Sequence, residues 1–279
     1  MNHGRRSSSL PKRRQVNDRQ RKTVAQGGMK SPERRGVGGE QVEGRQAVRE
    51  LLKANRRRAY EVFLDQTVER TGIVAEIASL ALDRRVPLKE LSSSKFDLLC
   101  RSESSQGVIA MAEPLRLYDI NSIFSKDSDS KEKKVVVLDH VIDPRNLGSI
   151  LRSAECAGFE YIVLPERRST KITPTVAKTS VGAIEYLKFV LVPGVAGALE
   201  ELKKLGVWSV GLDPEATDTV WDVNLDGVPL ALVLGSEGKG LSRLVRQRCD
   251  YLASIPQFGH LDSLNVSAAA SVAMFTISR

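Results

Sequence analysis

The stretch Val135-Val-Val-Leu-Asp-His-Val-Ile-Asp-Pro-Arg-Asn-Leu-Gly-Ser-Ile-Leu-Arg152 changes its hydrophobic period halfway. Its first four residues are an unbroken apolar run, which suits a parallel strand buried on both faces. After the break at Asp143-Pro144, apolar Leu147, Ile150, Leu151, Ala154 and Ala157 recur at helical spacing. Strand, turn and helix in that order are the building unit of an α/β fold. Five more runs downstream read as strands: Tyr161 to Leu164, Leu187 to Val192, Val207 to Gly211, Leu230 to Leu234 and Leu252 to Ile255. With helices between several of them, the expectation for residues 135–279 is a doubly wound parallel sheet. Ligands of such sheets bind beyond the carboxyl ends of the strands, so the loops there should carry the chemistry.

Upstream, a smaller α/β pattern occupies residues 37–115. Ala47, Val48, Leu51 and Leu52 lie at helical spacing, and Ala59 to Leu64 reads as a strand. A helix from Ile73 to Leu82, a short strand from Val86 to Leu88, a helical turn from Phe96 to Cys100 and a closing strand from Gln106 to Ala112 complete it. Residues 116–134, with Ser125-Lys-Asp-Ser-Asp-Ser-Lys-Glu-Lys-Lys134, have the composition of a solvated linker.

Residues 1–36 form a tail of different character. The first 35 hold 11 Lys or Arg against Asp18 and Glu33, a net of +9, while the whole chain carries +8. The body beyond the tail is therefore nearly neutral. With almost no large apolar residues, such a segment cannot bury enough surface to fold and is expected to be disordered. Its charge suits nucleic acid, with an acidic membrane surface or simple solubility as alternatives.

Composition excludes several classes. A chain of 279 residues, 41% hydrophobic and 27% charged, is an ordinary globular protein with room for two domains and tails. The small-apolar run from Ser267 to Ile277 is too short to span a bilayer, and no charged-then-apolar leader opens the chain, so a cytoplasmic location is expected. Cys100, Cys156 and Cys249 are odd in number and lack metal-ligand spacing, which fits reduced, buried thiols and no metal site. Neither His3, His140 nor His260 accompanies a nucleophile elbow. Gly235-Ser-Glu-Gly-Lys-Gly-Leu-Ser242 lacks the spacing of a nucleotide phosphate loop.

Three turns remain: Asp143 to Arg152, Gly235 to Ser242 and Leu261 to Ala268. Each is rich in Gly, Ser or Asn, follows a strand-like run and opens a helix-like run, an arrangement that offers backbone N–H groups to a ligand. Asn146 stands where a helix N-cap belongs. Arg152 falls off the apolar stripe, on the side of Gly148 and Ser149, where small residues let a bulky partner approach; a surface salt bridge to Glu155 or Glu160 is the plain alternative. Glu237, between glycines, reads as a carboxylate at a helix N-terminus. Ser263 and Asn265 flank the start of the final helix, Val266 to Ser278, where capping is their ordinary role.

Together these residues resemble the SpoU-type RNA 2′-O-ribose methyltransferases of the SPOUT class. Residues 143–158 are similar to the family's first motif, 232–242 to its second and 254–270 to its third. Val42-Glu-Gly-Arg-Gln-Ala-Val-Arg-Glu-Leu-Leu52 and Ser105-Gln-Gly-Val-Ile-Ala-Met-Ala-Glu-Pro114 resemble the N-terminal RNA-binding domain of the branch that modifies bacterial 23S rRNA. The resemblance implies a C-terminal segment threaded as a deep trefoil knot, S-adenosylmethionine as cofactor and a homodimer. By motif, Gly235, Ile255 and Leu264 would hold the cofactor, and Asn146, Arg152, Glu237, Ser263 and Asn265 would form the catalytic and substrate-phosphate neighbourhood. The family gives the proton step to the motif-one arginine. A guanidinium is essentially never deprotonated in proteins, so the alternative to a base role is that the charge of Arg152 stabilises the developing alkoxide while a substrate phosphate or water takes the proton; the sequence does not choose between them. The implied activity is 2′-O-methylation of a 23S rRNA guanosine. A tRNA enzyme, a resistance enzyme methylating an rRNA adenosine, or a non-catalytic RNA-binding ribosome-assembly protein are the alternatives. Two departures stand out: Gln257-Phe258 in motif three would reshape the pocket, and a final helix ending at Arg279 would weaken a dimer.

Overall fold

Two sheets follow the two sequence patterns. The computed structural model describes residues 36–124, 133–167, 169–225, 227–261 and 263–278. The expected tail up to residue 35 and the middle of the expected linker, residues 125–132, lie outside the described residues.

The first sheet contains β1 (Gln41–Glu43), β2 (Ala59–Asp65), β3 (Leu88–Leu91) and β4 (Val108–Ala112), in the order β1-β4-β2-β3. Helices α1 (Arg45–Ala54), α2 (Gly72–Asp83) and α3 (Ser93–Leu99) accompany it. β1 is absent from the sequence reading because two of its three residues are polar, yet Gln41 and Glu43 are both buried. It pairs antiparallel with β4, so β4 is an inner strand and not the closing one. β3 begins two residues later than expected, because Val86 N donates to Ala81 O and still belongs to the end of α2.

The second sheet contains β5 (Lys134–Leu138), β6 (Tyr161–Pro165), β7 (Lys188–Val192), β8 (Trp208–Leu212), β9 (Leu230–Leu234) and β10 (Tyr251–Ala253). All neighbours are parallel, in the order β10-β8-β9-β5-β6-β7, so every expected run is a strand. Each face is covered. Val136 and Leu138 enter one apolar core with Leu147, Ile150 and Met274, whereas Val135 and Val137 enter another with Leu199, Leu202 and Val245. The first core is covered by α4 (Pro144–Cys156), α5 (Pro174–Thr179) and α8 (Val266–Ile277), the second by α6 (Val195–Lys204) and α7 (Arg243–Arg248). Fully buried Phe159 and Phe189 each contribute about 1.5–3 kcal/mol.

The first core runs without a break into the small sheet through Val48, Leu51 and Leu52. A buried, two-pronged ion pair reinforces that seam: Arg57 Nη2 donates to Glu185 Oε1 at 2.6 Å and Nε to Oε2 at 2.9 Å. Removing one partner of such a pair strands the other charge and costs about 3–5 kcal/mol. The expected linker is correspondingly less solvated at its ends than its composition indicates. Ile120 and Ile123 are buried in a short 3-10 helix, Tyr118 N donates to Phe189 O, and Lys133 is buried. The thiols also differ from expectation, since Cys156 is exposed and Cys100 and Cys249 are half-buried. Among the described residues no helix is long and apolar enough to cross a membrane, and no His, Cys, Asp and Glu cluster could hold a metal.

Candidate active site at the carboxyl edge of the parallel sheet

The carboxyl ends of β8, β9 and β10 open into a cavity of about 480 Å³. Leu212, Leu234, Ile255, Leu264 and Val266 make it apolar on one side, and Asp213, Glu237, Ser263 and Asn265 supply polar groups. That size and mixture suit a small organic ligand. Gly235, Ile255 and Leu264, expected to hold the cofactor, all line it. Gly235 has a physical reason to be glycine: an added Cβ would stand 2.2 Å from the Gly240 carbonyl carbon and 2.4 Å from Leu241 N. The turn doubles back through Ser236 N to Gly240 O at 3.0 Å and Gly240 N to Ser236 O at 2.9 Å, leaving only backbone at that wall.

The three motif turns meet at Glu237. Asn146 Nδ2 donates to Glu237 Oε1 at 2.7 Å, and Asn265 Nδ2 donates to the same oxygen at 2.8 Å. Asn265 Nδ2 also lies 3.1 Å from Asn146 Oδ1, closing a triangle of polar groups. A carboxylate accepting from two amides fixes the orientation of both side chains more firmly than a neutral acceptor does. Asn265 keeps the capping role as well, its Oδ1 accepting from Ser267 N at 2.8 Å.

Two local readings are corrected. The N-cap of α4 is Asp143, whose Oδ1 accepts from Arg145 N at 2.7 Å. Pro144 takes the first helical position, where its missing N–H costs nothing, and Asn146 is thereby inside the helix and free to reach Glu237. Glu237 is not at a helix N-terminus: α7 begins six residues later, after Ser242, and Glu237 belongs to the preceding turn.

Arg152 is the expected site residue that the chain does not bring to this cluster. It lines a separate depression of about 330 Å³ with Glu50, Glu155, Cys156, Ser180 and Tyr186. It is exposed and makes no ion pair among the described residues; Glu160 is taken by Lys188 at 3.1 Å. The small-residue side beside it is filled within the chain, because an added Cβ at Gly148 would lie 2.6 Å from Thr179 Cβ just before Ser180.

The sequence reading missed two acidic residues at strand ends. Asp139, buried after β5, accepts from Ser242 N at 2.8 Å and faces His140 Nδ1 at 2.6 Å, so it ties the second motif turn to the first. Asp213, after β8, lines the cavity, accepts from Glu215 N at 2.9 Å and pairs with Arg246 at 2.7 Å. Neither stands in a motif; only its place after an apolar run could have marked it. Burial, reinforced by Asp250, Asp139 and Asp213, pushes the nearby Cys249 thiol up to about 12.

The profile of the SpoU rRNA Methylase family matches residues 133–275, and that for RNA 2′-O ribose methyltransferase substrate binding matches residues 41–118. A Staphylococcus saprophyticus protein named for the TrmH family of tRNA/rRNA methyltransferases is 37% identical over 85% of this chain and 94% of its own length. The Bacillus subtilis protein YacO, named for the same family, is 37% identical over the same shares. The crystal structure of the SpoU methyltransferase AviRb from Streptomyces viridochromogenes, in complex with AdoMet, superposes with a TM-score of 0.69 at 22% identity, covering 85% of this chain and 88% of that one, a likeness of fold. The chain belongs to the SpoU rRNA methylase family.

Proposed function

We propose that this protein transfers a methyl group from S-adenosylmethionine to a ribose 2′-hydroxyl of RNA, with a guanosine of 23S rRNA as target. The observation that carries the reading is the meeting of Asn146, Glu237 and Asn265, from three distant motif turns, at the rim of the Gly235 cavity. The cavity suits the cofactor: its apolar residues would take an adenine, the backbone at Gly235 would allow close approach, and Glu237 would supply a negative group for a positive sulfonium. When bound, S-adenosylmethionine supplies an already activated methyl and leaves as a neutral thioether.

The residues of the chain have the remaining work of positioning. A ribose hydroxyl is a weak nucleophile, so holding its oxygen in line lowers the barrier more than any single acid or base does. The Asn146 and Asn265 amides, fixed by Glu237, offer donors and acceptors for ribose or phosphate oxygens. Methylation releases the hydroxyl proton, which water or a substrate phosphate takes.

Arg152 enters through assembly. It is exposed, makes no ion pair among the described residues, and lies on α4 beside α8, where Val272 and Phe275 expose apolar surface. A homodimer that buries this surface lets Arg152 of one protomer serve the cavity of its partner, where its charge stabilises the developing alkoxide. A C-terminal segment threaded as a deep trefoil knot, a cytoplasmic location and an RNA-binding role for the basic tail belong to the same reading. The names of the relatives span tRNA and rRNA, so a tRNA ribose is the second reading. The first test is calorimetry of the purified protein with S-adenosylmethionine, without RNA. Saturable binding is expected, and no heat at millimolar cofactor contradicts the proposal.

A further inference from the structure

A second cleft, of about 470 Å³, lies where the small sheet domain meets α4 and α5, and its walls carry Arg101, Arg145 and Lys178. We propose that this cleft is the track of the substrate RNA backbone, with Arg101 and Lys178 as phosphate-positioning residues that deliver the target ribose to Asn146 and Glu237. The inference rests on the reading of the chain as an RNA methyltransferase and names where that RNA runs.

Charge accounting within the cleft supports it. Its two acids are already engaged: Glu103 pairs with Arg145 at 2.8 Å, and Asp143 accepts from Arg145 N and faces Asn146 Nδ2 at 3.5 Å. Arg101 and Lys178 have no acidic partner among the described residues, which leaves two uncompensated cations facing one space. The Arg145–Glu103 bridge is itself exposed on both sides, so it is worth little and yields readily to a phosphate.

The backbone that carries Arg101 and the stem of Lys178 are both fixed by neighbouring groups. The loop bearing Arg101 is anchored by Glu43, a fully buried carboxylate with no basic partner among the described residues, which accepts from Arg101 N at 2.7 Å, Ser102 N at 3.0 Å and Gln41 Nε2 at 2.8 Å. A buried charge is costly unless every lone pair is satisfied, and here the satisfying donors are the backbone of the cleft loop. Lys178 lays its stem over Gly44, where an added Cβ would come within 3.2 Å of Lys178 Cγ. The stem thus leaves the ammonium among the residues that line the cleft.

Position completes the argument. Asp143 and Pro144 form one wall of the cleft, and Asp143 leads through Asn146 to Glu237. A strand lying on Arg101 and Lys178 therefore passes directly to the polar cluster. Thr175 and Thr179 on the same wall add hydroxyl donors suited to phosphate oxygens.

The test uses the full chain with S-adenosylmethionine and rRNA fragments, comparing Arg101→Glu, Lys178→Glu and Lys178→Arg with the wild type at several salt concentrations. Each reversal is expected to raise the Kd and KM for RNA roughly tenfold, to flatten the log–log salt slope by about 0.7 per lost phosphate contact, and to leave kcat at saturating RNA and cofactor binding within twofold. Lys178→Arg should keep the wild-type slope. Reversal variants that match the wild type in KM and slope, while the wild type methylates RNA, overturn the cleft but not the activity. A wild type that neither binds nor methylates RNA overturns both.

Discussion

Asn146 donates to Glu237 at 2.7 Å although 91 residues separate them in the chain. The contact exists because β5 and β9 are adjacent and parallel, so the turns that follow them emerge side by side. Asn265, arriving after β10, completes the cluster on the same oxygen. Positioning by this shared carboxylate is the physical content of the site, and the first expectations concern it.

Glu237→Gln replaces an acceptor of two amides by a neutral group that can no longer serve both as well. Hydrogen bonds to charged groups are worth about 1.5–3 kcal/mol, so methyl transfer should fall roughly 10- to 100-fold. Glu237 is exposed, so the thermal midpoint should stay within a few degrees. Single-turnover kinetics and a melting curve on the same preparation check both.

Gly235→Ala places a methyl group where the Gly240 backbone already stands, 2.2 Å away. The turn must open, and the cavity wall moves with it. S-adenosylmethionine affinity is expected to drop at least about tenfold, as overpacking costs about 1–3 kcal/mol. Calorimetry decides, and wild-type affinity would show that the turn does not shape the cofactor site.

The sequence revealed the sheet better than the site. Buried parallel strands are continuous apolar runs, so Val135 to Leu138 and its five companions could be read directly. β1 escaped because Gln41 and Glu43 are buried as hydrogen-bonding residues, which apolar periodicity does not register. Asn146 was legible as important yet misread as a cap, because whether Asp143 or Asn146 starts α4 depends on one turn of chain. Arg57 and Glu185, 128 residues apart, carry no local signal at all. The resemblance to the family marked the motif residues, but only the three-dimensional fold separates Arg152 from the cavity that the others share.

That separation gives a sharp outcome for mixed dimers. Arg152→Ala and Glu237→Gln homodimers should each lose at least about nine-tenths of the activity. A purified heterodimer with one protomer of each kind should regain about half of the wild-type activity, because one of its two composite sites is intact. No recovery would mean that Arg152 acts within its own chain, and a fully active Arg152→Ala homodimer would mean that it does not act at all.

Alkaline pH tests the contact between α1 and the loop before β7. Burial first, and then the hydrogen bond to Glu50 at 2.7 Å, push the Tyr186 hydroxyl from 10.0 up to about 12. A raised pKa means that this stabilisation is fully present below the unfolded value and disappears as pH rises from about 10 to about 12. Denaturant titrations across that window should show a steeper loss of stability for the wild type than for Tyr186→Phe. Equal slopes would contradict the assignment.

The central claim is transfer of a methyl group to a ribose oxygen, and alkali reads that oxygen directly. Alkaline cleavage of RNA needs a free 2′-hydroxyl, so a 2′-O-methylated nucleotide survives within a dinucleotide. Protein incubated with rRNA and S-adenosylmethionine labelled in its methyl group should place the label in alkali-resistant dinucleotides whose 5′ member is guanosine. Label released in mononucleotides, or no label in RNA, would contradict the account.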